Sequence, residues 1–182
     1  LFPYTTLFRS EMLKPLGMPN VTFKIDVSKT DMLRQNGCSD VAFLFTANKN
    51  SDLKPVTDTA SGGEMSRIML CLKTIISNVK QLPTIVFDEI DTGVSGDIAD
   101  RMGETMKQLT PRTQVICITH LPQIAGKGNT HFMVYKTENE KGTNTCIRKL
   151  NNEERIEEIA KMISGKNLTQ AAIQNAKELL NS

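Results

Sequence analysis

Thr84-Ile85-Val86-Phe87-Asp88-Glu89-Ile90-Asp91-Thr92-Gly93-Val94-Ser95-Gly96 is the stretch on which the fold turns. Thr84 to Phe87 is rich in β-branched and aromatic side chains and has the length of a buried strand. Asp88 and Glu89 follow at its end, and Asp91 opens a glycine-bearing turn. Carboxylates at the C-terminal tip of a parallel strand stand where open α/β sheets bind ligands. There, one carboxylate can hold a metal ion and its neighbour can orient a water. The same residues also suit a plain buried strand ending in an acidic loop, so the flanking sequence has to decide.

Upstream lies Ala60-Ser61-Gly62-Gly63-Glu64-Met65-Ser66-Arg67. It opens a helix whose apolar stripe is Met65, Ile68, Met69, Leu72, Ile75, Ile76 and Val79. Ser61 is a good N-cap, and Glu64 three residues on completes a capping box. Adjacent glycines between cap and first turn add nothing to helix stability. They leave backbone N–H groups open at the positive end of the helix dipole, which suits a phosphate. The plainer reading is an ordinary capped helix.

Downstream, Ile98, Met102, Met106 and Leu109 mark a helix ending near Pro111. Gln114 to Thr119 reads as another strand, running into His120-Leu121-Pro122. A lone histidine is more often structural, but His120 falls at the same end of its strand as Asp88. Gln123 to Ala125 begins a short helix stopped by Gly126. A hairpin follows, with strands His131–Lys136 and Thr145–Leu150 about Lys141-Gly142, and His131 in it reads as structural. Two amphipathic helices, Arg155–Ile163 and Leu168–Leu180, are separated by Gly165 and close the chain.

Toward the N-terminus, Met12, Leu13 and Leu16 precede Gly17 and Pro19, the end of a helix and its stop. Val21 to Val27 alternates apolar and polar, the pattern of a half-buried strand, and Val41 to Thr46 is its expected antiparallel partner. Asp31–Asp40 and Asn48–Thr59 read as loops. Strands alternating with helices argue for an α/β layer with a mainly parallel sheet, flanked by helices and carrying a small antiparallel β portion.

Composition narrows the classes. The chain has 182 residues, 39% of them hydrophobic, so it can bury a core. No apolar run approaches the ~18 residues of a membrane helix. A net charge of +2 gives no argument for nucleic acid by itself. Cys38, Cys71, Cys117 and Cys146 include no CxxC pair, which fits a reducing compartment rather than a disulfide scaffold or zinc site. The string Leu1 to Ser10 resembles a translated sequencing adapter. It is expected to be a non-native leader, with the native protein continuing upstream and this chain a C-terminal fragment.

Taken in order, these motifs resemble the C-terminal half of an ABC-type ATPase head. Ser61 to Glu64 is similar to the signature motif, Thr84 to Glu89 to the Walker B strand, Asp91 to the D-loop and His120 to the switch histidine. Asp88-Glu89-Ile90-Asp91-Thr92-Gly93-Val94-Ser95-Gly96 and Thr119-His120-Leu121-Pro122-Gln123-Ile124-Ala125 narrow the resemblance to the RecN family of bacterial SMC-like DNA repair ATPases. Leu53-Lys54-Pro55 and Asn175-Ala176-Lys177-Glu178-Leu179-Leu180 fit the same family. Residues 11–182 are covered. The resemblance implies that residues 11–20 end a coiled-coil arm and 21–182 form the C-terminal lobe of the head.

It also implies roles. Asp88 would hold Mg²⁺, Glu89 would polarise the attacking water, and His120 would contact the γ-phosphate of ATP. Ser61 to Glu64, with Ser61 and Gly63 foremost, would contact the nucleotide on a second head, and Asp91 would link the two sites across that homodimer. The parent would be an ATP hydrolase of the bacterial cytoplasm and nucleoid, acting on DNA damage through repair and recombination and engaging DNA through the full-length protein. One departure matters: no G-x-x-x-x-G-K-[ST] occurs in the chain, since Gly126-Lys127 and Gly165-Lys166 lack both the upstream glycine and the Ser/Thr. In RecN-like proteins that loop precedes the arm, so this chain alone is expected to be inactive. A rival reading is a non-catalytic SMC-type head that only dimerises or bridges DNA. A transporter ATPase subunit is a second rival, disfavoured by the turn sequence after Glu89.

Overall fold

A computed structural model describes residues 10–35, 37–49, 51–139, 142–165 and 167–182. All of the expected leader except Ser10 lies outside the described residues. Residues 10–13 are helical, and Gly17 (φ +80°) turns the chain beneath the core, as its stop signal implies. Leu13, Leu16, Met18 and Val21 are all buried there.

β1 (Thr22–Arg34) and β2 (Gly37–Thr46) form an antiparallel hairpin with Phe23 opposite Phe45 and Val27 opposite Val41. The pairing expected from alternation is present, but the strands run further than expected, into the polar 31–40 segment. A solvated ribbon needs no apolar alternation: its ladder closes through backbone bonds, helped by the Arg34–Asp40 ion pair. Among the described residues only the base of the hairpin is buried, at Phe23, Phe45 and Thr46. The expected loop before the helix also carries structure. β3 (Lys54–Pro55) adds to the edge of β2, a position where proline sacrifices no ladder bond, and α1 (Val56–Thr59) follows.

α2 (Gly62–Lys80) is the long helix expected from Ser61 onward. It buries Ile68, Leu70, Cys71, Thr74 and Ser77. Met69, Ile76 and Val79 of the expected stripe are exposed instead. Apolar residues line more than one side of this helix, and the core takes the side on which Ser77 Oγ can hydrogen-bond Thr113 Oγ1 at 2.9 Å.

β4 (Thr84–Asp88), α3 (Gly96–Lys107) and β5 (Gln114–Ile118) make a parallel unit, with Thr84 opposite Gln114 and Asp88 opposite Ile118. Ile85 and Phe87 face the core, together with half-buried Val115 and Cys117, and α3 packs with Ala99, Met102 and Met106 buried. The other face of the pair is bare at Val86, Ile116 and Ile118, so the strand expected to be buried is buried on one side. The parallel part thus has two strands among the described residues, and the antiparallel part is larger than its expected share. The α/β class holds.

α4 (Pro122–Gly126) leads to the hairpin β6 (Phe132–Asn139) and β7 (Gly142–Lys149), then to α5 (Asn152–Ser164) and α6 (Gln170–Asn181). Ile159, Ala160, Ala172 and Ala176 form a second small core between the last two helices.

Candidate functional site

The site begins at the start of α2. Ser61 has extended backbone, so its side chain folds over the first turn. Ser61 Oγ accepts from the Glu64 N–H at 3.4 Å, while Glu64 Oε2 accepts from both the Ser61 N–H and its hydroxyl at 2.8 Å. The capping box read from the sequence is therefore closed. The two glycines differ in function. A β-carbon on Gly63 would stand 2.7 Å from Gly93 O, backbone against backbone, whereas one on Gly62 would meet nothing within 4 Å. Gly63 is a packing residue that seats the helix start on the turn after β4. Gly62 is free of packing demands and keeps its backbone open at the helix N-terminus. Arg67 braces the same turn: Nε donates to Gly63 O at 3.0 Å and a terminal nitrogen to Leu16 O at 2.9 Å. Burial lowers its pKa, with the Glu64 charge opposing.

The acidic tip lies at the C-terminal end of β4. Asp88 closes the strand, and Glu89 adopts φ +49°. For a non-glycine residue that left-handed conformation costs about 1–2 kcal/mol. It is held here by Glu89 O, which accepts from the Thr92 N–H at 3.3 Å and Thr92 Oγ1 at 3.0 Å. Both carboxylates are exposed.

Asp91 is different. It is 1% exposed, and its Oδ2 accepts from Thr119 Oγ1 and, at 3.0 Å, from the His120 N–H. His120 Nδ1 lies 3.2 Å from the same oxygen, on a ring that is itself 73% exposed. The Asp91 carboxylate is turned into its own chain and engaged there. Its Oδ1 is buried with no hydrogen-bond partner among the described residues. The Cys117 thiol is pushed up to about 12, by burial first and the Asp91 charge second.

The parallel register therefore brings Asp88 and Glu89 to one sheet edge with His120, which follows Ile118 by two residues. The Gly63–Gly93 contact brings the helix start to the turn beside them. The edge is open rather than enclosed. A cavity of about 480 Å³ beside the helix start is lined by Phe45, Asn48, Lys54, Thr59 and Glu64 among others, and none of Asp88, Glu89 or His120 lines it. Among the described residues no three His, Cys, Asp or Glu side chains cluster as a protein-built metal cage. Exposed Asp88 fits Mg²⁺ in the way that ion is commonly bound, through one or two carboxylates with waters and substrate phosphates completing the shell.

Residue reasoning from the sequence missed several positions. Thr119 carries the hydroxyl that binds Asp91, and its only signal was adjacency to His120. Gly93 is the surface on which Gly63 rests. Lys73 donates to Val86 O at 2.9 Å and lies 5.1 Å from the Phe87 ring centre, pinning α2 to β4. His131 is structural, as expected, with Nε2 2.7 Å from Ala125 O.

Comparison with solved structures places this fold among SMC ATPase heads. The Smc head domain with a coiled coil and joint from Pyrococcus yayanosii superposes with a TM-score of 0.62 at 18% identity, over 87% of this chain and 29% of that one. No family model matches the chain. In sequence it is 44% identical over 168 residues to the DNA repair protein RecN of Rickettsia bellii, covering 92% of this chain and 30% of that protein. It is 42% identical over 175 residues to RecN of Halalkalibacterium halodurans, covering 94% of this chain and 31% of that protein. Over these matched residues the chain is similar to RecN proteins, and it spans about 30% of the length of the curated relatives it matches.

Proposed function

We propose that the chain is the signature-helix, acidic-strand and histidine half of an ATP-hydrolysing RecN-type head that works in DNA double-strand-break repair and recombination. The observation that carries this reading is the shared sheet edge, where Asp88 and Glu89 end β4 and His120 follows β5 in parallel register. The match to RecN proteins supports the DNA repair context.

In this reading Asp88 holds hydrated Mg²⁺ alongside the phosphates, and the chemistry the ion supplies when bound is neutralisation of charge on their oxygens. Glu89, exposed at the strand tip, polarises the attacking water. His120 contacts the γ-phosphate. Ser61 and the open backbone of Gly62 contact the nucleotide carried by a second copy of the head, while Gly63 seats the helix start and Glu64 holds Ser61 in place for it. DNA is engaged through the full-length protein, in the bacterial cytoplasm at the nucleoid. A non-catalytic head has no use for an exposed, water-orienting Glu89.

With no phosphate-cradling G-x-x-x-x-G-K-[ST] in its sequence, the 182-residue chain alone neither binds ATP tightly nor turns it over. The test is reconstitution with an N-terminal half that carries that loop. Hydrolysis should appear, and Glu89→Gln should lower it by at least about 100-fold, the scale of a lost general base. A folded, dimeric but inactive reconstituted protein would sink the site assignment. Turnover by the chain alone, abolished by Glu89→Gln, would sink the claim of dependence.

A further inference from the structure

Three groups of the β5–α4 connection converge on one oxygen of the β4 turn. Thr119 Oγ1 donates to Asp91 Oδ2, the His120 N–H donates to it at 3.0 Å, and His120 Nδ1 lies 3.2 Å away. Thr119 is itself oriented for this. Its oxygen accepts from the Leu121 N–H at 3.0 Å, so its one proton is free to point at Asp91. The carboxylate is buried while the ring beside it is exposed. Its second oxygen has no hydrogen-bond partner among the described residues, and the bonds to the first come from Thr119 and His120.

A carboxylate 3.2 Å from a ring nitrogen repels a lone pair there and attracts a proton. The hydrogen bond or charge at one nitrogen of a histidine decides what the other can do. We propose that Asp91 is a positioning residue for His120, holding the proton on Nδ1 so that Nε2 is the atom offered to a ligand at the sheet edge. Nε2 then accepts from a water when the ring is neutral and donates to a phosphate oxygen when it is charged. Thr119 keeps Asp91 Oδ2 in place for this. The inference rests on the proposed role of His120 but concerns the ring itself, and it is read without nucleotide.

The experiment is two-bond ¹H–¹⁵N correlation NMR on the histidine-labelled chain, which has His120 and His131 as its two rings, assigned with a His131→Gln variant. With the ring neutral, the His120 Nδ1 shift should lie at the protonated extreme and Nε2 at the unprotonated extreme. Asp91→Asn should move the two shifts toward each other or exchange them. Thr119→Val, which leaves the carboxylate, should keep the wild-type order. An Nε2–H ring in the wild-type chain overturns the proposal, whether or not either variant folds. So does an Asp91→Asn spectrum with the wild-type order. If the wild-type order is found but the reconstituted head fails to hydrolyse ATP, the positioning stands and the functional reading fails.

Discussion

Gly62 and Gly63 look alike in the sequence, and the structure gives them opposite energetics. A methyl on Gly63 would collide with the backbone of Gly93 at 2.7 Å, and no flexible side chain is there to yield. Gly63→Ala should therefore destabilise the chain by about 1–3 kcal/mol, the cost of overpacking a close contact. Gly62→Ala meets open space and should stay within about 0.5 kcal/mol of the parent. Urea denaturation midpoints of the two variants check this, and equal losses would refute the packing assignment. Asp91 teaches the complementary lesson. Its position was legible in the sequence as a carboxylate after a strand, but its partners were not. The bond to Thr119 joins residues 28 apart in sequence, and no local period or motif reports a contact of that range. The Ser61–Glu64 box was legible because all of its chemistry lies within one helical turn.

Among the elements, the junction of α4, β6 and α5 hangs on His131. Its Nε2–H donates to Ala125 O at 2.7 Å, and its Nδ1 accepts from Arg155 Nε at 3.4 Å. Arg155 in turn donates to Gly128 O at 2.8 Å. The ring serves as a neutral splint, and burial, joined by the Arg155 charge, lowers its pKa below the ordinary 6.5. A depressed pKa means the unfolded chain takes up the proton first as pH falls. The stabilisation is therefore complete above about pH 6.5 and is lost as pH drops through the folded-state value. Thermal midpoints measured from pH 7.5 to 5 should fall more steeply for the parent than for His131→Gln, and parallel curves would remove His131 from the account. Elements with an apolar run or stripe were readable from the chain: β4 and β5 lie where their short apolar runs placed them, and α3 and the last two helices where their stripes did. The outer part of the β1–β2 ribbon was not, because polar strands paired in solvent leave no apolar signature. The buried side of α2 was misread because Met69, Ile76 and Val79 are as hydrophobic as the residues the core selected.

At the scale of the molecule, the main core lies under one face of the β4–β5 pair, and the site lies along that pair's C-terminal edge. The opposite face presents Val86, Ile116 and Ile118 to water, although parallel sheets are ordinarily covered on both sides. That strip bears on how the chain behaves in a tube. Two short parallel strands with an oily side, and with no further strand on either rim among the described residues, are a template on which further strands can add. In dilute buffer the chain should bind a polarity-sensitive dye and scatter light increasingly with concentration. Ile118→Lys should reduce both signals while leaving the unfolding free energy from urea titration within about 0.5 kcal/mol, as expected of a surface substitution. Unchanged dye binding would mean the strip is shielded in solution. The colloidal lifetime of this chain is then set by a strip of sheet on the far side from its core.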